Sequence, residues 1–312
     1  MSFALRVDET IDHGMRRLAS MQFDAALQAL DGQQHDLDEQ IHDARQALKR
    51  LRSLLRLLRG ELGEAEFRRD NAALRDVARE LARAREAAAL IESFDDLFED
   101  AERAARERFR PVRTLLTSRC HERRAQELAA GAMSRAAEEL VNLRKRVSAW
   151  PKLRDDFEAL APGLRQSYRS GRRALERARR TVTDESLHEW RKREKHHLHH
   201  VRLLAGIFPE ELEARGEALH ALSDALGKLH DLSLLRSELP RLSDTEERVA
   251  DLDALEVFMN FQELRLQNRA FSLGRKLYAE KPRALLSRLA ALFEVWRADL
   301  EVAVQAVDGA WD

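Results

Sequence analysis

The sequence predicts an all-α protein built from two duplicated units, each resembling a four-helix bundle. Three observations carry that expectation. Apolar residues recur at three- and four-residue spacing, as in Leu48, Leu51, Leu55 and Leu58 or Leu219, Leu222, Leu226 and Leu229, which gathers them on one stripe of a helix. Charged residues make up 35% of the 312-residue chain, yet it holds only 12 Gly and 6 Pro, a composition suited to long amphipathic helices and almost no strand. Finally, one pattern occurs twice: His42-x-x-Arg45-x-x-x-Lys49 returns 146 residues later as His188-x-x-Arg191-x-x-x-Lys195.

The repeat extends past those positions. Asp38, Glu39, Ile41 and Arg56 align at the same offset with Asp184, Glu185, Leu187 and Arg202. After a one-residue slip, Leu74, Leu81, Arg83, Arg85 and Glu86 fall opposite Leu219, Leu226, Lys228, His230 and Asp231, and Ser134-Arg135 echoes Ser287-Arg288. Echoes kept in order along the chain imply duplication of a whole bundle-sized unit. The expected halves are residues 1–155 and 156–312, together one domain, with the seam between Ala149 and Pro162 where two prolines and Asp155-Asp156 interrupt the helical pattern.

Gly and Pro punctuate the helices. Helices are expected at 3–30, ended by Asp31-Gly32, and at 36–59, ended by Gly60 to Gly63. Next come 68–91, 95–109, stopped by Pro111, 111–130, stopped by Gly131, and 132–149, stopped by Pro151. The second half repeats the plan with 163–182, 185–205, 210–238, 245–277 and 282–307, divided by Gly206 to Pro209, Pro240 and Pro282. Asp36 or Asp38, and Thr183 or Asp184, are the expected N-caps of the two histidine helices.

The single cysteine, Cys120, rules out an intramolecular disulfide framework and a thiolate metal cluster. The amino-terminal residues lack a basic segment followed by an apolar one, and no run of about 18 apolar residues occurs, so a soluble, cytoplasmic protein without membrane contact is expected. Net charge is −1, but Arg165 to Arg202 carries 12 Lys/Arg against 5 Asp/Glu, whereas Glu92 to Glu102 carries 6 acidic residues and no basic one. A near-neutral protein with one strongly basic surface can select a polyanion without binding all of them.

The basic residues are arranged in columns. At about 100° per residue, His42, Arg45, Lys49, Arg52 and Arg56 fall at about 0°, 300°, 340°, 280° and 320°, and His188, Arg191, Lys192, Lys195, His199 and Arg202 form a second narrow stripe. Like charges at this spacing repel by a few tenths of a kcal/mol per pair. Asp43 is the only acid between His42 and Arg59, so pairing within the helix does not cancel the column. A linear anion would reward it: arginine offers planar forks to phosphate oxygens, lysine a mobile point charge, and histidine a donor whose charge depends on pH.

These motifs resemble the two repeats of the CHAD domain, the conserved-histidine alpha-helical domain. The resemblance rests on His42-x-x-Arg45-x-x-x-Lys49-Arg50-x-Arg52, on the second copy from Leu187-His188, and on Leu226-Gly227-Lys228-Leu229-His230-Asp231-Leu232. Tyr168-Arg169-x-Gly171-Arg172-Arg173 and Leu277-Tyr278-Ala279-Glu280-Lys281-Pro282 extend it across nearly the whole chain. It implies two pseudo-symmetric bundles whose basic stripes face each other across a central basic pocket, binding of inorganic polyphosphate there without catalysis, and association with polyphosphate granules. It assigns binding to His42, Arg45, Lys49, Arg52, Arg56, His188, Arg191, Lys192, Lys195 and Arg202, and extends to His199, Tyr168, Arg172, Lys228 and Arg83. In the first copy Ala82, Arg85 and Glu86 stand where the second has Gly227, His230 and Asp231.

The residues also offer other readings. His196 and His200 lie four apart on one helical face, a spacing zinc sites use, but they sit among cations and have no cysteine near. No cofactor is expected: there is no GxxxxGK phosphate loop and no Ser/His/Asp constellation in a strand-turn-helix setting. Nucleic acid shares the phosphate chemistry. It is disfavoured because aromatics are 6% of residues and fall at apolar-stripe positions such as Phe258, Phe261, Phe293 and Trp296, which leaves no base-stacking platform. A helical scaffold with a solvated basic face would prefer no polyanion.

Overall fold

The computed structural model describes residues 3–31, 37–98, 103–118, 131–243 and 252–308. Every long element is a helix, and among the described residues there is no strand. The long helices among the described residues are α1 (Ile11–Leu30), α2 (Leu37–Leu57), α3 (Glu64–Leu97), α4 (Ala132–Val147), α5 (Ala161–Arg180), α6 (Asp184–Leu204), α7 (Pro209–Ser243), α8 (Leu252–Leu277) and α9 (Pro282–Asp308). Lengths recur in order: α1, α2 and α3 have 20, 21 and 34 residues, and α5, α6 and α7 have 20, 21 and 35.

In the first half α1 packs on α2 and α4, and α3 on α2 and α4; in the second α6 lies between α5 and α7, with α8 against α7 and α9 against α5. The halves meet where α2 packs on α5 and α6, and α3 on α7. One continuous apolar cluster runs from Phe3 to Phe293 through both halves. A smaller cluster closes the far end of α3 and α7, where Phe94, Phe98 and Phe109 meet Leu235, Leu255 and Met259 and the Phe98 ring stacks on Phe258 at 5.0 Å.

The linker between the halves is pinned rather than loose. Arg16 donates to the carbonyls of Val147, Trp150 and Pro151, Asp12 accepts from the Leu153 N–H, and Asp155 accepts from the Ile11 N–H and pairs with Arg297. Each contact satisfies a polar group that the seam would otherwise leave open.

Several element boundaries differ from the expectation, each for a local reason. Residues 3–10 are not helical: the Thr10 side chain caps α1 by accepting from the His13 N–H, and the preceding segment crosses to the second half, where the Leu5 N–H donates to Leu203 O at 3.0 Å. α3 continues unbroken past residue 91, because Ala87-Ala88-Ala89-Leu90-Ile91 favours helix and nothing nearby stops it. α7 runs through Pro240 to Ser243, so the expected break falls within its last turn. Thr183 caps α6 in a capping box with Ser186, whereas Asp36, the alternative cap of α2, lies outside the described residues, as does Cys120. Phe261, expected on a core stripe, is instead 64% exposed beside Val257 and Leu264 on the outer face of α8. Among the described residues no helix is long and apolar enough to cross a membrane.

Two glycines allow the halves to touch. A Cβ on Gly163 would lie 2.1 Å from Leu57 O, and one on Gly206 would lie 2.0 Å from Leu5 O. Gly163→Ala and Gly206→Ala are each expected to lower stability in urea denaturation by about 1–3 kcal/mol through enforced backbone shifts. Gly60→Ala, where the nearest atoms lie 3.7 Å away, is expected to be neutral or slightly stabilising.

Candidate anion-binding site

The two histidine helices cross at Ser53. Its hydroxyl donates to Lys49 O and lies 3.0 Å from His196 Nδ1, while His200 Nε2 lies 2.8 Å from Ser53 O. A carbonyl can only accept, so Nε2 carries the proton, while Nδ1 lies 2.9 Å from Ser167 Oγ. Both nitrogens of His200 are therefore committed, which removes it from any metal shared with His196. Among the described residues no group of three or more His, Cys, Asp or Glu is arranged to hold a metal. Burial holds the His200 pKa down at about 4, and it holds His196, His197 and His199 well below the usual histidine range.

On α2, His42, Arg45, Lys49, Arg52 and Arg56 are all half-buried. Arg45 donates to Ala78 O at 2.9 Å, His42 Nε2 lies 3.2 Å from the Gln46 amide, and Arg52 Nε donates to Asn71 at 3.3 Å. Burial lowers the Arg52 pKa, and so do Arg75 and Arg79, with Asp76 opposing. Arg56 is driven furthest, to about 10, first by burial and then by Arg52, Arg193 and Arg59. The charges acting on it are all positive, and its buried Nε has no hydrogen-bond partner.

The α6 stripe is differently balanced. Arg191 passes over Gly227, where a Cβ would stand 3.9 Å from Nε, and burial lowers its pKa against the opposing effect of Asp231 and Glu194. Lys195 is lowered by burial and Arg191 while Glu194, Asp224 and Asp231 oppose. Glu194 itself is fully buried, and burial raises its pKa. The His188 ring lies 4.4 Å from that of His230, which burial holds at about 4. At the far end, buried His199 and exposed Arg202 come near Arg50 of α2.

A solvent-open cleft of about 510 Å³ lies where the end of α2 meets α5 and α6. Arg56, Arg59, Arg193 and His196 line it together with Phe67, Gln166, Ser167 and Ser170. Of the stripe residues expected from the sequence, this cleft takes Arg56. Arg193 and Arg59 were not singled out; Arg193 lies on a different sector of α6 from the stripe and is brought in only by the helix crossing. Arg50 was legible in part, since it aligns with His196 at the repeat offset of 146.

Four expected positions lie elsewhere. Tyr168 is fully buried and its hydroxyl donates to Glu280 O at 2.8 Å, so the group expected to reach phosphate holds the loop after α8 instead. Arg172 also turns to Glu280 O, at 3.3 Å. Lys192 is exposed and pairs at 2.6 Å with Glu189, the carboxylate that also holds Arg193. Lys228 lines a separate cleft of about 650 Å³ with Asp96, Asp231, Arg265 and Arg269. The Arg83 side chain lies outside the described residues.

Fold and site together define an all-helical protein whose two inner helices bring desolvated cations to a shared crossing. The chain belongs to the CHAD domain family, whose model matches residues 17–240. Its structure is similar to that of the CHAD domain from the plant Ricinus communis, at 19% identity and a TM-score of 0.59, over 90% of this chain and 96% of that one. It is also similar to PptA from Streptomyces chartreusis, at 16% identity and a TM-score of 0.57, over 87% of this chain and all of that one. No curated protein matches the sequence. At these identities the likeness carries the fold.

The crossing has a pH signature. His200 is neutral when folded and titrates near 4, below its unfolded value near 6.5, so its contribution is present above about pH 6.5 and is lost as pH falls toward 4. The shift corresponds to about 3 kcal/mol at most. Urea denaturation of His200→Gln should therefore lose less stability between pH 7 and pH 4 than the parent; equal pH slopes would contradict a neutral imidazole at the crossing.

Proposed function

We propose that this protein binds inorganic polyphosphate, without catalysing its turnover, through the cations of α2 and α6. The observation that carries the reading is Arg56: a half-buried guanidinium whose neighbouring charges are all positive and whose Nε lacks a partner. Such a group is a cost to the folded protein alone, and a bound anion would relieve it by supplying charge and hydrogen bonds together. The family resemblance supplies the identity of the anion, and the columns of cations supply a linear geometry. Facing stripes across a central channel remain the arrangement we propose for the bound chain.

In that arrangement successive phosphates replace water and small counterions along His42, Arg45, Lys49, Arg52 and Arg56 and along His188, Arg191, Lys195, His199 and Arg202. Release of those counterions provides much of the affinity, which rises with chain length until the cations are covered. The acids near Arg191 and Lys195 make the α6 column the weaker attractor, and the α2 column with Arg50 the stronger.

The test is titration with polyphosphates of defined length at near-physiological salt, with single- and double-stranded DNA as competitors. Arg52→Gln with Arg56→Gln should weaken binding by roughly tenfold or more with helicity retained, since each desolvated contact is worth about 1–3 kcal/mol. Neutral substitutions are the right probe, because Lys195→Glu would place a second carboxylate against buried Glu194. Raising salt from about 50 to 200 mM should cost at least about 300-fold in affinity if six or more cations are engaged. DNA binding as tightly as polyphosphate would replace this reading with general polyanion binding.

A further inference from the structure

The cationic groups of α2 are not evenly distributed along it. From His42 to Arg52 the stripe offers about one cation per turn, but at the end of the helix Arg56, Arg59 and Arg193 converge on one cleft with His196. Arg59 and Arg193 are held by Glu64 at 2.7 Å and Glu189 at 2.6 Å, which fixes their guanidinium planes, while Arg56 has only cations acting on it. Phe67 lies beneath Arg56 and Arg59, with guanidinium carbons 5.8 and 4.9 Å from the ring centre. One face of α5 supplies neutral donors: Gly163, Gln166, Ser167 and Ser170 all line the cleft. Ser167 is committed to Leu164 O and His200, which leaves Gln166 and Ser170 at the rim.

The stripe also stops here. The helix α2 itself ends at Leu57, and Gly163 is pressed against Leu57, with a Cβ position 2.1 Å from Leu57 O, so α5 crosses the helix end beside Arg56. An anion lying along α2 meets three guanidinium groups together with hydroxyl and amide donors at that terminus. In a linear polyphosphate the internal phosphates carry a single negative charge, whereas a terminal phosphate has a second ionisation near pH 6 to 7 and one more free oxygen.

We propose that this cleft recognises the terminal phosphate of a polyphosphate chain, with Arg56, Arg59 and Arg193 meeting the doubly charged group and Gln166 and Ser170 donating to its additional oxygen. The inference rests on the polyphosphate reading of the α2 stripe and adds a polarity to it: one chain end is seated, and the rest runs back along Arg52, Lys49, Arg45 and His42.

Calorimetric titration would compare short linear polyphosphates having free ends with chains of equal length whose ends are capped as monoesters, and linear tripolyphosphate with cyclic trimetaphosphate. Free-ended chains should bind roughly tenfold more tightly than capped ones, because one charge-assisted contact set is lost on capping. In Gln166→Ala/Ser170→Ala, with helicity verified by circular dichroism, that ratio should fall toward one. Equal affinity for free-ended and capped chains, with tight binding retained, would overturn end recognition and leave the stripe as a polyphosphate site. Binding of neither would overturn both. A ratio unchanged in the double variant would also overturn the proposal, since the extra oxygen would then be read elsewhere.

Discussion

Two helices that each carry a column of cations are held against one another, and neutral imidazoles help to make the contact. At Ser53 the α2 backbone meets His196 and His200 of α6, and the His200 ring bridges Ser53 O and Ser167 Oγ, linking α2, α6 and α5 in one hydrogen-bonded node. Were these rings charged, they would add to the repulsion among Arg50, Arg52, Arg56 and Arg202. Burial keeps them neutral, so the polar node can be donor and acceptor at once without adding charge.

The surrounding core makes this arrangement tolerable. A desolvated guanidinium disfavours folding, and so does a close row of like charges. The opposing contribution comes from an apolar cluster shared by both halves, from the pinned linker around Asp155, and from the glycine contacts at Leu57 and Leu5. The cost is concentrated at one place and offset by packing elsewhere.

The duplicated stripes have diverged in charge balance more than in spacing. Around Arg191 and Lys195, Asp231, Asp224 and Glu194 soften the field. At the end of α2 the acids pair with the outer arginines, leaving Arg56 among cations. The same residue spacing thus yields two different electrostatic environments, because each stripe faces a different neighbour.

Helical class, most of the long helices and Thr183 as one of two possible caps of α6 were legible in the sequence. They depend on local periodicity, turn chemistry and a repeat that survives in register. Phe261, at an apolar-stripe position, is exposed, since a stripe position says which residues share a face and not what that face meets. Which cations lose their water, which gain a carboxylate, and that Arg193 joins Arg56 although they belong to different halves were decided only by how α2, α5 and α6 cross. Desolvation and charge coupling depend on distances between segments far apart in the chain, and those are set by packing.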